Sequence, residues 1–350
     1  KLSSQKYLSY LEPLWKEVHD RFRPDIVHIH GTEFTHGLAY INANCMQNVV
    51  VSIQGLLNGI ARYSLGQINE TVLRKYRTLY DYLRSPLLSL PKRMSEQGRY
   101  ENEYLLKINH VIGRTQWDMD HVWSINPECH YHFCNETLRR PFYMDENRWK
   151  ISECERHAIF LSQASSPIKG LHKLIEALPL VIREFPDTKV YVSGTNFLKR
   201  DGFVNKLKYS TYANYVYHLM KRLNVENRFI FTGPLEENLM AQRYKAANIF
   251  ICPSSIENSP NSLGEAQLIG TPCIASYVGG IPDMIEHGKT GFMYRFGEHE
   301  MLAKYICRIF SDDNLALNLS ENARVEAKKR HDSINNARRT INIYRNIIEG

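Results

Sequence analysis

Apolar and polar positions along this chain fall into two alternating patterns. Short apolar runs closed by glycine, proline or a polar residue read as buried strands: Pro24 to Gly31, Val49 to Gly55, Val111 to Thr115, Ala158 to Ser162, Thr188 to Gly194, Arg228 to Gly233, Ala247 to Pro253 and Gly270 to Ser276. None of them has the alternation of a half-exposed strand, as expected for parallel strands covered on both faces. Between them, apolar residues recur at three- and four-residue spacing, which predicts helices over Tyr7 to Phe22, Gly170 to Ile182, Ala213 to Leu223 and Leu239 to Ala247. A last helix, Asp332 to Ile348, carries an apolar stripe of Ile334, Ala337, Ile341, Tyr344 and Ile348. Strand and helix alternate often enough to predict an α/β chain with doubly wound parallel sheets, whose ligands bind beyond the carboxyl ends of the strands.

The chemistry concentrates after the strand at Ala247 to Pro253. Ser259, Pro260 and Asn261 supply a capping side chain, a helix-starting proline and a polar residue, and Leu263, Ala266 and Ile269 predict a short helix stopped by Gly270. Glu257 thereby falls in the loop and Glu265 in the helix. Such a helix start collects unpaired backbone amides and the positive end of the dipole, so it favours a phosphate, and a carboxylate one or two turns further on can reach sugar hydroxyls. Val278 to Pro282 follows as a glycine-rich turn, able to approach a ligand or only to close tightly. Upstream, Lys169 and Gly170 stand at a helix start. A lysine there supplies a point charge for a diphosphate, although an isolated Lys-Gly pair is also read as a solvated helix start.

Residues Pro253 to Tyr294 resemble the donor-binding block of retaining glycosyltransferase family 4, among the group 1 glycosyltransferases. The matching pieces are Pro-Ser-Ser, two glutamates with seven residues between them, Glu-Ala, Gly-Thr-Pro, Gly-Gly-Ile-Pro-Asp and Gly-Lys-Thr-Gly. The resemblance implies the GT-B fold, two Rossmann-like domains facing a cleft. It implies a hexosyltransferase that moves sugar from a nucleoside-diphosphate sugar to a glycan or lipid-linked acceptor, in surface polysaccharide biosynthesis. It further implies that Glu265 binds the ribose, that Glu257 faces the transferred sugar, and that amides around Asn261, Ser262 and Leu263 hold the distal phosphate. The nucleobase is implied near Gly233 and Leu235, with Gly194 on the same edge. Where the family has Gly-Arg, this chain has Ser162-Gln163, a neutral donor in place of a cation. His30, after the first strand, is a candidate for the substrate or a structural histidine; Gln54 stands where related enzymes often carry histidine, and Arg114 either faces the cleft or pairs with a carboxylate.

The expected domains are 1–151 with the terminal helix 330–350 on the acceptor side, and 152–329 as the donor-binding domain. No opening strand and glycine-rich loop precede Tyr7, so the first domain is expected to lack roughly the first hundred residues of an ordinary two-domain enzyme. The 350 residues are 43% apolar, enough for two cores, and no run reaches the ~20 apolar residues of a membrane span. Seven scattered cysteines, Cys45, Cys129, Cys134, Cys154, Cys252, Cys273 and Cys307, read as reduced thiols of a cytoplasmic protein. Net charge is +7, part of it in Arg74, Lys75, Arg77, Arg84, Lys92, Arg93 and Arg99. That stretch, interleaved with Tyr and Leu, reads as a solvated face or as a peripheral contact with an anionic membrane on its inner side; no nucleic-acid motif accompanies it.

Asp118-Met-Asp120 offers an Asp-x-Asp triplet, but carboxylates two apart on a helix diverge by about half a turn. The site is therefore expected to need no metal and no cofactor, with Lys169 and helix amides in the metal's place. Two other activities fit the pattern: a nucleotide-sugar epimerase of the same fold, and a non-catalytic nucleotide-sugar binder. A dinucleotide oxidoreductase is disfavoured by the lack of Gly-x-Gly-x-x-Gly after a strand.

Overall fold

A computed structural model describes residues 7–43, 47–83, 87–200 and 209–350. Cys45 and Arg84 lie outside the described residues. Two parallel sheets organise the chain. The first contains β1 (Val27–His30), β2 (Val49–Ser52), β3 (His110–Gly113) and β4 (His130–Phe133) in the order β1-β2-β3-β4. The second contains β5 (Ala158–Leu161), β6 (Lys189–Ser193), β7 (Phe229–Gly233), β8 (Ile249–Cys252), β9 (Cys273–Ser276) and β10 (Phe292–Tyr294) in the order β10-β9-β8-β5-β6-β7. In that order the chain runs outward from β5 through β6 and β7, then returns to the other side of β5 with β8. The reversal creates a crevice between the carboxyl ends of β5 and β8, where open α/β sheets bind their ligands.

The helices of the first half are α1 (Leu11–Phe22), α2 (Thr35–Ala43), α3 (Leu57–Ala61), α4 (Glu70–Lys75), α5 (Leu79–Leu83), α6 (Leu90–Lys107) and α7 (Gln116–Ile125). Those of the second half are α8 (Leu171–Glu184), α9 (Thr211–Leu223), α10 (Glu237–Ala246), α11 (Asn261–Ile269), α12 (His299–Ser311), α13 (Asp313–Arg330) and α14 (Ser333–Glu349). The fully buried strands β5, β8 and β9 form the centre of the larger core. Burying a Leu, Ile or Phe side chain there is worth about 1.5–3 kcal/mol relative to exposure.

Two features tie the halves together. The terminal helix α14 returns to the first sheet, where Ile343 and Ile347 pack with Val50, Ile112 and Cys134. Its buried face differs from the stripe read from spacing: Ile334, Ile341 and Ile348 are exposed, and Asn336 turns inward to donate to the Arg330 carbonyl. The arm between α3 and α5 crosses in the opposite direction, burying Ile68 and Leu73 in the larger core. Asp81 on this arm accepts from the N–H of Thr211 at 2.6 Å, and Gly66 accepts from His172 Nε2 at 2.9 Å. That bond assigns the proton of neutral His172 to Nε2, and burial pushes the imidazole down to about 3.

Candidate functional site

The loop after β5 and the loop after β8 are joined backbone to backbone at the crevice. The N–H of Ser255 donates to Ile168 O at 2.7 Å. Gly170 lies in the left-handed region at φ 68°, and a Cβ there would stand 1.6 Å from the Pro253 carbonyl oxygen. Only glycine permits that approach. It brings Lys169 within reach of Glu257: Nζ donates to Oε1 at 2.7 Å, and the hydroxyl of Ser254 donates to the same oxygen at 2.7 Å. Burial works against the Lys169 ammonium, but the Glu257 charge and hydrogen bond outweigh it and hold its pKa above the ordinary value.

Lys169, Glu257, Gln163, Asn261 and Ser262 line one cleft of about 210 Å³, together with Ser162 and, from the first domain, Gln54 and Arg114. Cys252 lines it too, yet burial, reinforced by the Glu257 charge, pushes its thiol up to about 12, which keeps it protonated and unreactive. At the start of α11 the structure differs from expectation in one detail. Pro260, rather than Ser259, is the capping residue, and the helix has no side-chain cap. The N–H of Leu263 is spent on Pro260 O at 3.0 Å, leaving those of Asn261 and Ser262 at the open end. The Leu263 side chain belongs to the core.

Glu265, on the next turn of α11, is 5% exposed. Both Nε and Nη2 of Arg139 donate to its Oε1, at 2.9 and 2.7 Å. Burial raises its carboxyl, with Arg139 opposing the rise. Gly279 and Gly280 serve the loop itself: a Cβ on Gly279 would lie 1.9 Å from Glu257 O, and the N–H of Gly280 donates to that carbonyl at 3.0 Å. The glycine-rich turn therefore braces Glu257 by close packing.

Two further hollows adjoin the cleft. One, of about 250 Å³, shares Ser162 and Gln163 with it and is lined by Gly194 and Phe197. Gly233 stands beside Gly194, whose N–H it accepts at 3.0 Å. Leu235 is half-buried beyond it, outside the residues lining these hollows. The other, of about 260 Å³, shares Gln54 and Arg114 and contains His30. His30 is exposed and stacks on His28 with ring centroids 4.1 Å apart, so it sits one hollow away from the Lys169 and Glu257 pair. Arg114 does both things foreseen for it, facing the cleft and pairing with Glu136 at 2.9 Å.

Asp118 is fully buried and spent on hydrogen bonds. It caps α7 through the N–H groups of Arg114 and Thr115, accepts from Tyr131, and accepts from Asn258 Nδ2 at 2.9 Å across the cleft. Asp120 accepts instead from Gln116. Asn258, between the two glutamates, also accepts from Thr115 Oγ1 at 2.6 Å. It thus fastens the loop after β8 to the first domain. Neither this role nor that of Arg139 was read from the sequence; the only signal for Asn258 is a polar residue inside the motif, and Arg139 had none.

The family model for glycosyl transferases group 1 matches residues 144–326. The chain belongs to the group 1 glycosyltransferases. This glycosyltransferase is 25% identical over 308 residues to the N-acetyl-alpha-D-glucosaminyl L-malate synthase of Bacillus anthracis, covering 88% of this chain and 71% of that protein. It is 24% identical over 199 residues to a glycosyltransferase of Methanocaldococcus jannaschii, covering 57% of this chain and 47% of that protein, about half its length. Its fold matches a crystal structure of Anabaena HepE in complex with UDP and glucose, with a TM-score of 0.68 at 18% identity, over 95% of this chain and 80% of that one. The transferase has the two-domain GT-B architecture expected from its motifs. Among its described residues, no helix is long and apolar enough to cross a membrane.

Proposed function

We propose that the cleft binds a nucleoside-diphosphate sugar and that the enzyme transfers the sugar, with retention, to a hydroxyl of a glycan or lipid-linked acceptor. One observation carries the reading. At the crevice between β5 and β8, Lys169 and Glu257 meet at 2.7 Å over the amino end of α11. A cation, a carboxylate and open backbone amides there fit a diphosphate on one side and a sugar on the other.

In this reading the amides of Asn261 and Ser262 and the Lys169 ammonium hold the diphosphate, and Glu265 accepts from the ribose. The base extends toward Gly194, Gly233 and Leu235, the acceptor toward the hollow containing His30. The bond between the anomeric carbon and the diphosphate oxygen breaks with its electron pair on that oxygen. The acceptor oxygen bonds to the same face of the carbon, and its proton passes to the departing diphosphate. Lys169 and the amides stabilise the charge developing on the leaving group, the role a divalent cation fills elsewhere. Glu257 orients the sugar and offsets positive charge at the anomeric carbon.

The test is loss of donor sugar with and without added acceptors, followed by mass spectrometry. Transfer that depends on an acceptor and yields a product with the donor's anomeric configuration supports the reading. Conversion without acceptor favours an epimerase, and binding without conversion of any donor a nucleotide-sugar binder.

A membrane role is supported by a different observation. On α5, Leu79, Tyr82 and Leu83 are 64–71% exposed, beside Arg74, Lys75 and Arg77. Apolar side chains ringed by cations suit the headgroup region of an anionic bilayer, where lipid-linked acceptors reside.

A further inference from the structure

We propose that Arg114, contributed by the first domain, is the second cation of the diphosphate site and replaces the arginine that Gln163 lacks. This rests on the donor-site reading above. Among the described residues, the charged side chains lining the cleft are Arg114, Lys169 and Glu257. Lys169 is paired at 2.7 Å with Glu257, which lines the cleft, whereas the carboxylate paired with Arg114 at 2.9 Å, Glu136, is not among the described residues lining it, so Arg114 is the lining cation whose counter-ion lies outside the cleft. Gln163 can donate a hydrogen bond but no charge, and neutral donors stabilise phosphate less than a guanidinium does.

Arg114 is placed for the task. It follows β3 directly, at the carboxyl end of the first sheet and across the crevice from Gln163. Its side chain is 6% exposed and tethered through Nη2, which donates to Ile53 O at 2.9 Å and is ion-paired with Glu136 Oε1 at 2.9 Å. A guanidinium has five N–H donors in a fixed fork, so a tether on Nη2 leaves the N–H groups of Nη1 and Nε, on opposite edges of the fork, as single charged donors for a further partner. Glu136 also accepts from Gln54 at 3.3 Å and lines the adjoining hollow rather than the cleft. The two cations then come from opposite domains, so diphosphate binding draws the domains together through Arg114 on one side and Lys169 on the other.

Titration calorimetry with UDP and UMP, using the full chain, tests the assignment; GDP, ADP and dTDP serve if UDP fails to bind. The parent is expected to prefer the diphosphate. Arg114→Gln should lose about 10- to 100-fold of that preference while its affinity for UMP changes by less than about threefold, and Arg114→Gln with Gln163→Arg should recover most of it. A merely structural role would weaken both nucleotides alike and would not be rescued from the opposite domain. Gln163→Arg in the parent gives a second reading that does not depend on the fold of the Arg114 variant. A gain of less than about threefold is expected if the second cation is already present, and a gain above about tenfold overturns the proposal. Retention of the diphosphate preference by Arg114→Gln, or an effect confined to the KM of the acceptor, also overturns it. If the parent binds none of the four diphosphates, the donor-site reading itself fails.

Discussion

Replacing Glu265 by alanine separates nucleotide recognition from the chemistry at the sugar. Arg139 uses only Oε1 of this carboxylate, so Oε2 is the acceptor a ribose would engage. A hydrogen bond to a charged group is worth about 1.5–3 kcal/mol, so losing one should weaken nucleoside-diphosphate binding by about 10- to 150-fold. The fold should tolerate the change. Breaking a fully buried ion pair costs about 3–5 kcal/mol, but the Arg139 side chain is 45% exposed and water can take over its guanidinium, which reduces the expected loss to about 2 kcal/mol or less. Glu257 is assigned to the sugar, so Glu257→Ala should bind the diphosphate within about threefold of the parent while losing turnover. Calorimetry with nucleoside diphosphate, alongside ligand-free thermal unfolding, measures both quantities. Equal affinities for the parent, Glu265→Ala and Glu257→Ala would refute the division of roles.

Three further outcomes follow from the structure. Gly170→Ala must separate the β5 and β8 loops, because its Cβ would meet the Pro253 carbonyl at 1.6 Å in a left-handed backbone; a destabilisation of about 3 kcal/mol or more is expected, and parental melting would contradict it. Glu101, buried and accepting from Thr32 Oγ1 at 2.6 Å and Leu57 N–H at 2.7 Å, has its carboxyl raised by burial to about 7. Between its ordinary value of 4.5 and 7 the folded state therefore holds a proton the unfolded state has released, so stability should fall as pH rises through this window. Glu101→Gln should flatten that slope in chemical denaturation measured from pH 4.5 to 7.5, and an unchanged slope would exclude the group as its source. Finally, vesicles containing anionic lipid should retain the parent and release a variant carrying Leu79→Ser, Tyr82→Ser and Leu83→Ser; equal retention would rule out α5 as the contact.

What was legible in the sequence was continuous in it. β8, the Glu257 loop and α11 occupy one uninterrupted stretch, so strand, loop and helix start could be placed from apolar periodicity and glycine or proline punctuation. Lys169 was legible because a strand and an amphipathic helix bracket it. The strands that escaped notice are those with weak patterns: β4 is half-exposed at an edge, with two histidines among its four residues, and β10 is three residues long. The arm between α3 and α5 has helices of five and six residues, too short for a period to register, and its burial is decided by the distant surface of α9. Arg139 reaches Glu265 across 126 positions and Asn258 reaches Asp118 across 140, distances over which sequence spacing carries no signal. α14 was placed correctly but rotated, since its core-facing side includes Asn336, which no apolar pattern selects.

The central claim is that the crevice between β5 and β8 is the donor site, and a crystal structure with a bound nucleoside diphosphate tests it most directly. The diphosphate should lie within about 2.7–3.2 Å of Lys169 Nζ and of the N–H groups at the start of α11, with the ribose against Glu265. A nucleotide bound elsewhere, with Lys169 still on Glu257 and the end of α11 open, would contradict the account.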